Sequence, residues 1–317
     1  MNKTSFWLIP LLIIIFWLTK EIIFAFFMGT VIGLTIQNLS RFLSLKLKLP
    51  YYLLVFLLYF LIFFFFGFLI YSLFKVITLE LPGFVSHLNN FLKAYNLKIE
   101  KLESIKNFDF LTIFQSHFVN VFSFLYSLFG NFISVILVFI ISIYIALSPN
   151  LERDIFAYLP EEKREEIFNI WFRIKRKLSF WILGQIILML TIGLATYLVY
   201  GIIFDMPYKF LISLTAGVLE AVPILGPIIS TIIAVFIAII EKPEIVFLLI
   251  ASFFLIQQLE NHFLVPLVMK NTVKLNPLLV LLGILISSNI FGFWGAISIL
   301  PLLVIFKEVF DYYFKKD

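Results

Sequence analysis

QQLENHFLVPLVMKNTVKLNP, residues 257–277, sets a polar cluster inside a chain that is otherwise nearly all hydrocarbon. The residues before it, Glu244 to Ile256 (EIVFLLIASFFLI), read as a membrane helix. If that helix continues, Gln257, Glu260 and Asn261 stand at i, i+3 and i+4 and share one face. An ionisable residue there costs at least about 2.5 kcal/mol against lipid, so it is expected to face a cavity or a protein partner. Pro266 removes a backbone donor and leaves the carbonyl of His262 without its helical partner. Asn276-Pro277 supplies a fresh helix start, with Asn as N-cap and Pro in the first turn. The expectation is a broken helix carrying polar groups into a bilayer, a construction that transport sites use.

Composition points the same way. Of 317 residues, 62% are hydrophobic and 14% charged, against roughly 25% charged in soluble domains. The fold class that follows is all-α: a polytopic transmembrane helical bundle of about eight membrane segments, broken or re-entrant in its C-terminal half. The 41 phenylalanines read as lipid-facing bulk, not as a cofactor box. Cysteine is absent, which excludes disulfides and thiolate metal sites. The net charge of +5 is modest, and basic residues in a membrane protein set its orientation. No cofactor, metal or nucleic-acid partner is expected. Lys3 precedes an apolar run with no A-x-A-like cleavage site after it, so the run reads as an uncleaved first helix.

Toward the N-terminus, residues 1–74 read as membrane helices. Two apolar runs, about Phe6–Thr19 and Ile22–Gln37, are parted by Lys20-Glu21 and form either a tight hairpin or one long kinked element. Tyr51–Phe74 follows. Arg41, Lys46 and Lys48, with no acid among them, place the intervening loop in the cytoplasm. Residues 75–121 read as an extracytoplasmic amphipathic region, with Phe84, Leu88, Phe91, Leu92 and Tyr95 as its apolar stripe. Residues 122–147 are a further membrane helix. Residues 148–178 read as a cytoplasmic amphipathic helix opened by Pro160-Glu161-Glu162, whose basic cluster, Arg173, Lys175, Arg176 and Lys177, would face anionic headgroups. Residues 179–310 form the C-terminal membrane core and 311–317 a charged tail.

Within that core, Tyr208–Ile240 is too long for one straight span and is interrupted at 220–227, EAVPILGP. Pro223 and Pro227 each delete a donor, and Gly226 permits a non-helical bend. Two half-helices or a re-entrant hairpin are expected, tolerable only where they line a cavity or are buried in protein. A second interruption is read at 287–295, SSNIFGFWG, with Pro301 beyond it.

These features together resemble the autoinducer-2 exporter family. The likeness rests on Leu159-Pro160, Gly184-Gln185, Glu220 with Val222-Pro-Ile-Leu-Gly-Pro227, Gln257-Gln-Leu-Glu260-Asn261 with Pro266, Asn276-Pro277, Phe291-Gly292, Gly295 and Pro301. Asn276 stands where the family often has His, and His262 is an added titratable group. The resemblance implies an eight-helix protein of the bacterial inner membrane with cytoplasmic termini. It also implies a homo-oligomer, a pentamer being the expected count, and a small polar solute or a monovalent cation and proton as cargo.

Glu260, with Gln257 and Asn261, reads as a proton- or cation-linked carboxylate in a translocation route, or as a hydrogen-bond knot between helices. Glu220 reads as a cation ligand beside carbonyls freed by Pro223 and Pro227, or as an interfacial end-of-helix acid. Pro223, Gly226, Pro227, Pro266, Pro277, Gly292, Gly295 and Pro301 read as breaks and hinges. No GxxxxGK[ST], HExxH or GxSxG pattern occurs, so no enzyme is expected. The resulting reading is a gradient-driven transporter of a small polar solute. Sodium or lithium/proton antiport and a non-transporting membrane scaffold are its rivals.

Overall fold

The computed structural model describes residues 3–80, 132–223, 225–269 and 275–314, together with Gly83, Ser86, His87 and Asn90. All of the stripe expected at Phe84, Leu88, Phe91, Leu92 and Tyr95, and the first part of the helix expected at 122–147, lie outside the described residues. All regular structure among the described residues is helical. Helix α1 spans Lys3–Leu47 and α2 spans Tyr51–Lys75, continued by a π-helical turn at Val76–Glu80. Then come α3 (Phe132–Leu147), α4 (Leu151–Ala157) and α5 (Glu161–Thr196), the last prolonged by a π-helical stretch to Ile203. Helices α6 (Lys209–Leu219), α7 (Leu225–Glu241), α8 (Val246–Leu259), α9 (Val265–Val268) and α10 (Pro277–Phe314) complete the chain.

Among the described residues four helices are long and apolar enough to cross a membrane, and a fifth if the bent pair α3–α4 is one span. Three shorter apolar helices cover Lys209–Leu219, Gly226–Glu241 and Pro277–Gly292. The protein is therefore a helical membrane bundle. Of the two forms expected for the runs around Lys20-Glu21, the single long element is present as α1, because both residues are good helix formers and neither Gly nor Pro stands beside them. Likewise 161–178 is not a separate interfacial helix. It is the first half of α5, and its stripe of Ile170, Ile174 and Leu178 is buried with Val31 and Val304.

The chain divides into two compact units. In the first (Met1–Tyr59, Leu125–Ile182, Asn271–Asp317), α1 lies against α3 at a glycine-lined crossing. A Cβ on Gly29 would come within 2.8 Å of the Val138 carbonyl, and one on Gly33 within 2.7 Å of that of Ser142. Small residues four apart allow this backbone approach in a membrane. Lys175 does not face headgroups. It is buried and donates to Gln37 Oε1 and Glu152 Oε1, while Gln37 Nε2 donates to the carbonyls of Ile145 and Ser148. This network closes the corner between α3 and α4. Asn276 Oδ1 accepts the Leu278 N–H at 2.9 Å, the cap expected for α10. Helix α10 folds back on itself at Gly292 (φ 64°, ψ −147°). A Cβ on Gly283 would meet Ile299 at 2.8 Å, although sixteen residues of straight helix would separate them by about 24 Å. The break expected at 287–295 is thus a hairpin tip.

In the second unit (Phe60–Phe124, Leu183–Lys270), α6 and α7 form another hairpin. Their outer ends meet where the Tyr208 hydroxyl bonds Glu241 and where Lys242 Nζ donates to the carbonyls of Phe204 and Asp205. The interruption expected within 208–240 is present as a turn between two short helices whose far ends meet. An apolar cluster of Tyr200, Met206, Leu211, Ile212, Ile237 and Leu249 holds it against α5 and α8. Gly193 of α5 and Gly217 of α6 cross with almost no side-chain volume between them.

Candidate functional site

The tip of the α6–α7 hairpin, residues 220–223, carries Glu220 at the C-terminal end of α6. Its N–H continues the helix to the Ala216 carbonyl, and its own carbonyl is freed by the turn. Gln185, buried on α5, donates Nε2 to that carbonyl at 2.6 Å. Gly226 does not act through conformational freedom. A Cβ there would drive into the Leu219 carbonyl, so glycine is what lets α7 start against the end of α6. Pro227 sits in the first turn of α7, where a missing N–H costs nothing. Of the carbonyls that Pro223 and Pro227 were expected to free, that of Leu219 accepts the Val222 N–H at 2.9 Å.

Glu260 approaches from α8. At that residue the helix does not break; it widens into a π-helical turn, Glu260–Leu264, which absorbs the donor lost at Pro266 before the chain re-enters α-helix. This corrects the expected helix break, and π-turns inside α-helices commonly accompany functional sites. The inward line of α8 runs from buried Leu249 through half-buried Phe253 and Ile256 to buried Glu260. Gln257 is half-buried and donates Nε2 to Glu260 Oε2 at 2.8 Å. Asn261 is exposed, since it lies about 100° round the helix from Glu260. His262 is also exposed, with Nδ1 3.0 Å from the Gln258 carbonyl.

The structure brings Glu220 and Glu260 together. Their relative exposures are 2% and 5%, and their carboxyls meet in a side-chain hydrogen bond. Among the described residues Glu220 Oε2 is buried without a hydrogen-bond partner, and no lysine or arginine salt bridge reaches either acid. Gln185, Glu220, Gln257 and Glu260 form one cluster drawn from α5, the hairpin tip and α8. Gln185 was legible in the sequence only through the family likeness at Gly184-Gln185; its polarity inside an apolar run was the available signal. No group of three or more His, Cys, Asp or Glu that could hold a metal is present among the described residues.

At the hairpin's outer end lies a wider hollow of about 520 Å³ lined by Lys75, Glu80, Asp205, Tyr208, Lys209 and Glu241, among others. Glu80 Oε2 accepts the Leu211 N–H at 3.0 Å and so caps α6 from outside. Burial pushes the Glu80 carboxyl above its ordinary range, opposed by that hydrogen bond and by Lys75. His87 Nδ1 lies 2.9 Å from Glu241 Oε1.

The model of the AI-2E family of transporters matches residues 6–315 of this chain. YueF of Bacillus subtilis, named as a candidate transport protein, is 23% identical over 287 residues, covering 84% of this chain and 78% of YueF. A similarly named protein of Thermotoga maritima is 25% identical over 305 residues, covering 93% and 92%. YrrI of B. subtilis is 24% identical over 135 residues, which span 43% of this chain and 38% of YrrI. The chain belongs to the AI-2E transporter family.

Proposed function

We propose that this member of the AI-2E family carries a small polar solute across the bacterial inner membrane, driven by a proton or monovalent-cation gradient exchanged at Glu220 and Glu260. The observation that carries this reading is the contact of two buried carboxyls at a hairpin tip. Helix α6 is 11 residues long, about 16 Å, so the tip reaches roughly the middle of a 30 Å hydrocarbon layer. A permanently fixed acid pair would be an expensive structural device at that depth. A pair that takes and releases one proton gives the expense a use. Pro223, Gly226 and Pro227 shape the tip, and the π-turn before Pro266 sets Glu260 against it.

Purified protein in proteoliposomes under an imposed pH gradient tests this with a panel of small polar solutes. Wild type accumulates at least one of them, and Glu260→Gln at equal incorporation does not. Unchanged accumulation in the variant would falsify the reading. The absence of any third charged group from the cluster favours a second reading, cation/proton antiport, in which sodium moves protons with no solute present. A scaffold predicts neither flux. Assembly as a homo-oligomer, with five copies as the proposed count, is read by native mass spectrometry.

A further inference from the structure

The hollow of about 520 Å³ at the outer end of the α6–α7 hairpin takes no part in the carboxyl contact at the tip. It lies wholly within the second unit, and its size falls in the range of small-molecule sites, about 300–1,000 Å³. Six charged side chains line it, three of each sign: Lys75, Lys209 and Lys242 with Glu80, Asp205 and Glu241. Four of the six are in use. Lys242 Nζ donates to the carbonyls of Phe204 and Asp205 at 3.2 and 2.8 Å. Both oxygens of Glu241 face His87 Nδ1, at 2.9 and 3.0 Å. Glu80 caps α6 through the Leu211 N–H. Lys75 Nζ stands 4.3 Å from the centre of the Phe210 ring, a cation–π contact.

Two charges of opposite sign remain. Among the described residues Lys209 has no salt bridge. Its stem lies along Gly201, where an added Cβ would come within 3.0 Å of the Lys209 Cβ. The Asp205 carboxylate is 82% exposed, and Lys242 Nζ stands 3.9 Å from its Oδ2, beyond hydrogen-bond reach. Asp205 and Tyr208 both hold left-handed backbone, at φ 45° and 57°, a region that residues other than glycine seldom enter. Strain of this kind collects at ligand clamps, and here both strained residues stand in one wall.

A lone anion in this hollow would meet three acids, and a lone cation three lysines, so like-charge repulsion works against either. A solute that carries both charges meets a partner for each, through charge-assisted hydrogen bonds at its two ends. From this we infer that the hollow binds a small zwitterion, with its ammonium on Asp205 and its anionic group on Lys209. An α-amino acid has that chemistry, and so has the headgroup of an ethanolamine phospholipid. With an amino acid as ligand, the inference rests on the solute-transport reading and names the class of its cargo.

The test is equilibrium dialysis of the purified protein, in an uncharged maltoside detergent, against each radiolabelled standard α-amino acid and against glycerophosphoethanolamine, the soluble form of the lipid headgroup. Saturable binding of an amino acid supports the site with a soluble ligand. Binding of glycerophosphoethanolamine alone supports it with a lipid. The N-acetyl and amide derivatives of a bound amino acid, each lacking one charge, compete at least roughly tenfold more weakly. Asp205→Asn keeps a residue that tolerates the left-handed backbone and removes the charge, and Lys209→Met keeps the stem. Each weakens binding roughly tenfold or more at an unchanged elution profile. Ile202→Val, at an exposed position of the neighbouring π-helical stretch, leaves binding unchanged. Absence of saturable binding by wild type, equal competition by the singly charged derivatives, or wild-type affinity in either variant overturns the site. Solute accumulation that still depends on Glu260 would then leave the transport reading standing, and binding by a protein without flux would leave the site standing without that reading.

Discussion

Glu220 and Glu260 are forty residues apart in sequence and side by side in space. Each alone was legible as an anomaly, an acid in an apolar run, but their contact was not. It depends on the hairpin returning its tip to α8 and on a π-turn aiming Glu260 inward. Asn261 shows the limit of spacing arguments. An i, i+4 relation to Gln257 put it on the polar face, yet the inward line of α8 is centred on Glu260 and leaves Asn261 exposed. Gln185 shows the converse, a residue whose partner is a backbone carbonyl that no pattern predicts. Its replacement by Leu leaves the buried Glu220 carbonyl without a donor, and such a loss costs about 1–3 kcal/mol. The expected outcome is a fall of several degrees in the unfolding midpoint in detergent, with residual flux. Glu260→Gln reverses that pattern, keeping the midpoint within a few degrees of wild type while lowering flux roughly tenfold or more. Differential scanning fluorimetry beside a flux assay separates the two.

The elements were legible to the extent that Pro and Gly mark them. Both hairpin tips, at 220–223 and at Gly292, were readable as interruptions. The direction of the chain after each was not, because it is fixed by contacts such as Tyr208 with Glu241 and Gly283 with Ile299. Pro266 misled, since a π-turn accommodates a lost donor without breaking the helix. Gly292 occupies a backbone region that only glycine enters freely, and a side chain there costs of order 1–3 kcal/mol. Gly292→Ala is expected to lower the unfolding midpoint, whereas Gly67→Ala, at a position with open space around it, is not. The cap that Glu80 places on α6 has a pH signature. Its carboxyl is raised in the folded state, so the folded protein holds that proton more tightly than the unfolded chain. The contribution is fullest below the unfolded value and is lost as pH rises through the folded one. Glu80→Gln should flatten the pH dependence of the midpoint across that window, and an unchanged slope would show that the cap is not the titrating group.

At the scale of the whole molecule, composition alone identified a helical membrane protein, since 62% hydrophobic residues leave no soluble alternative. The count of about eight segments was less secure. The described residues hold four or five full spans and three shorter apolar helices, and length cannot distinguish a short span from one arm of a re-entrant hairpin. Topology makes a direct prediction, helped by the absence of native cysteine. Single cysteines at Lys209 and Glu241 should react with an impermeant thiol reagent from the same side of the membrane. Labelling of 209 and 241 from opposite sides would mean that α6 and α7 cross in series.

The central claim is that the Glu220–Glu260 pair holds one proton and exchanges it with water. Infrared spectroscopy of the reconstituted protein reads this directly from the carbonyl stretch of a protonated carboxyl. Wild type should show such a band, shifting within minutes of transfer to heavy water and missing from the double variant Glu220→Gln, Glu260→Gln. A band that is absent from wild type, fails to shift, or persists unchanged in the variant would contradict the account.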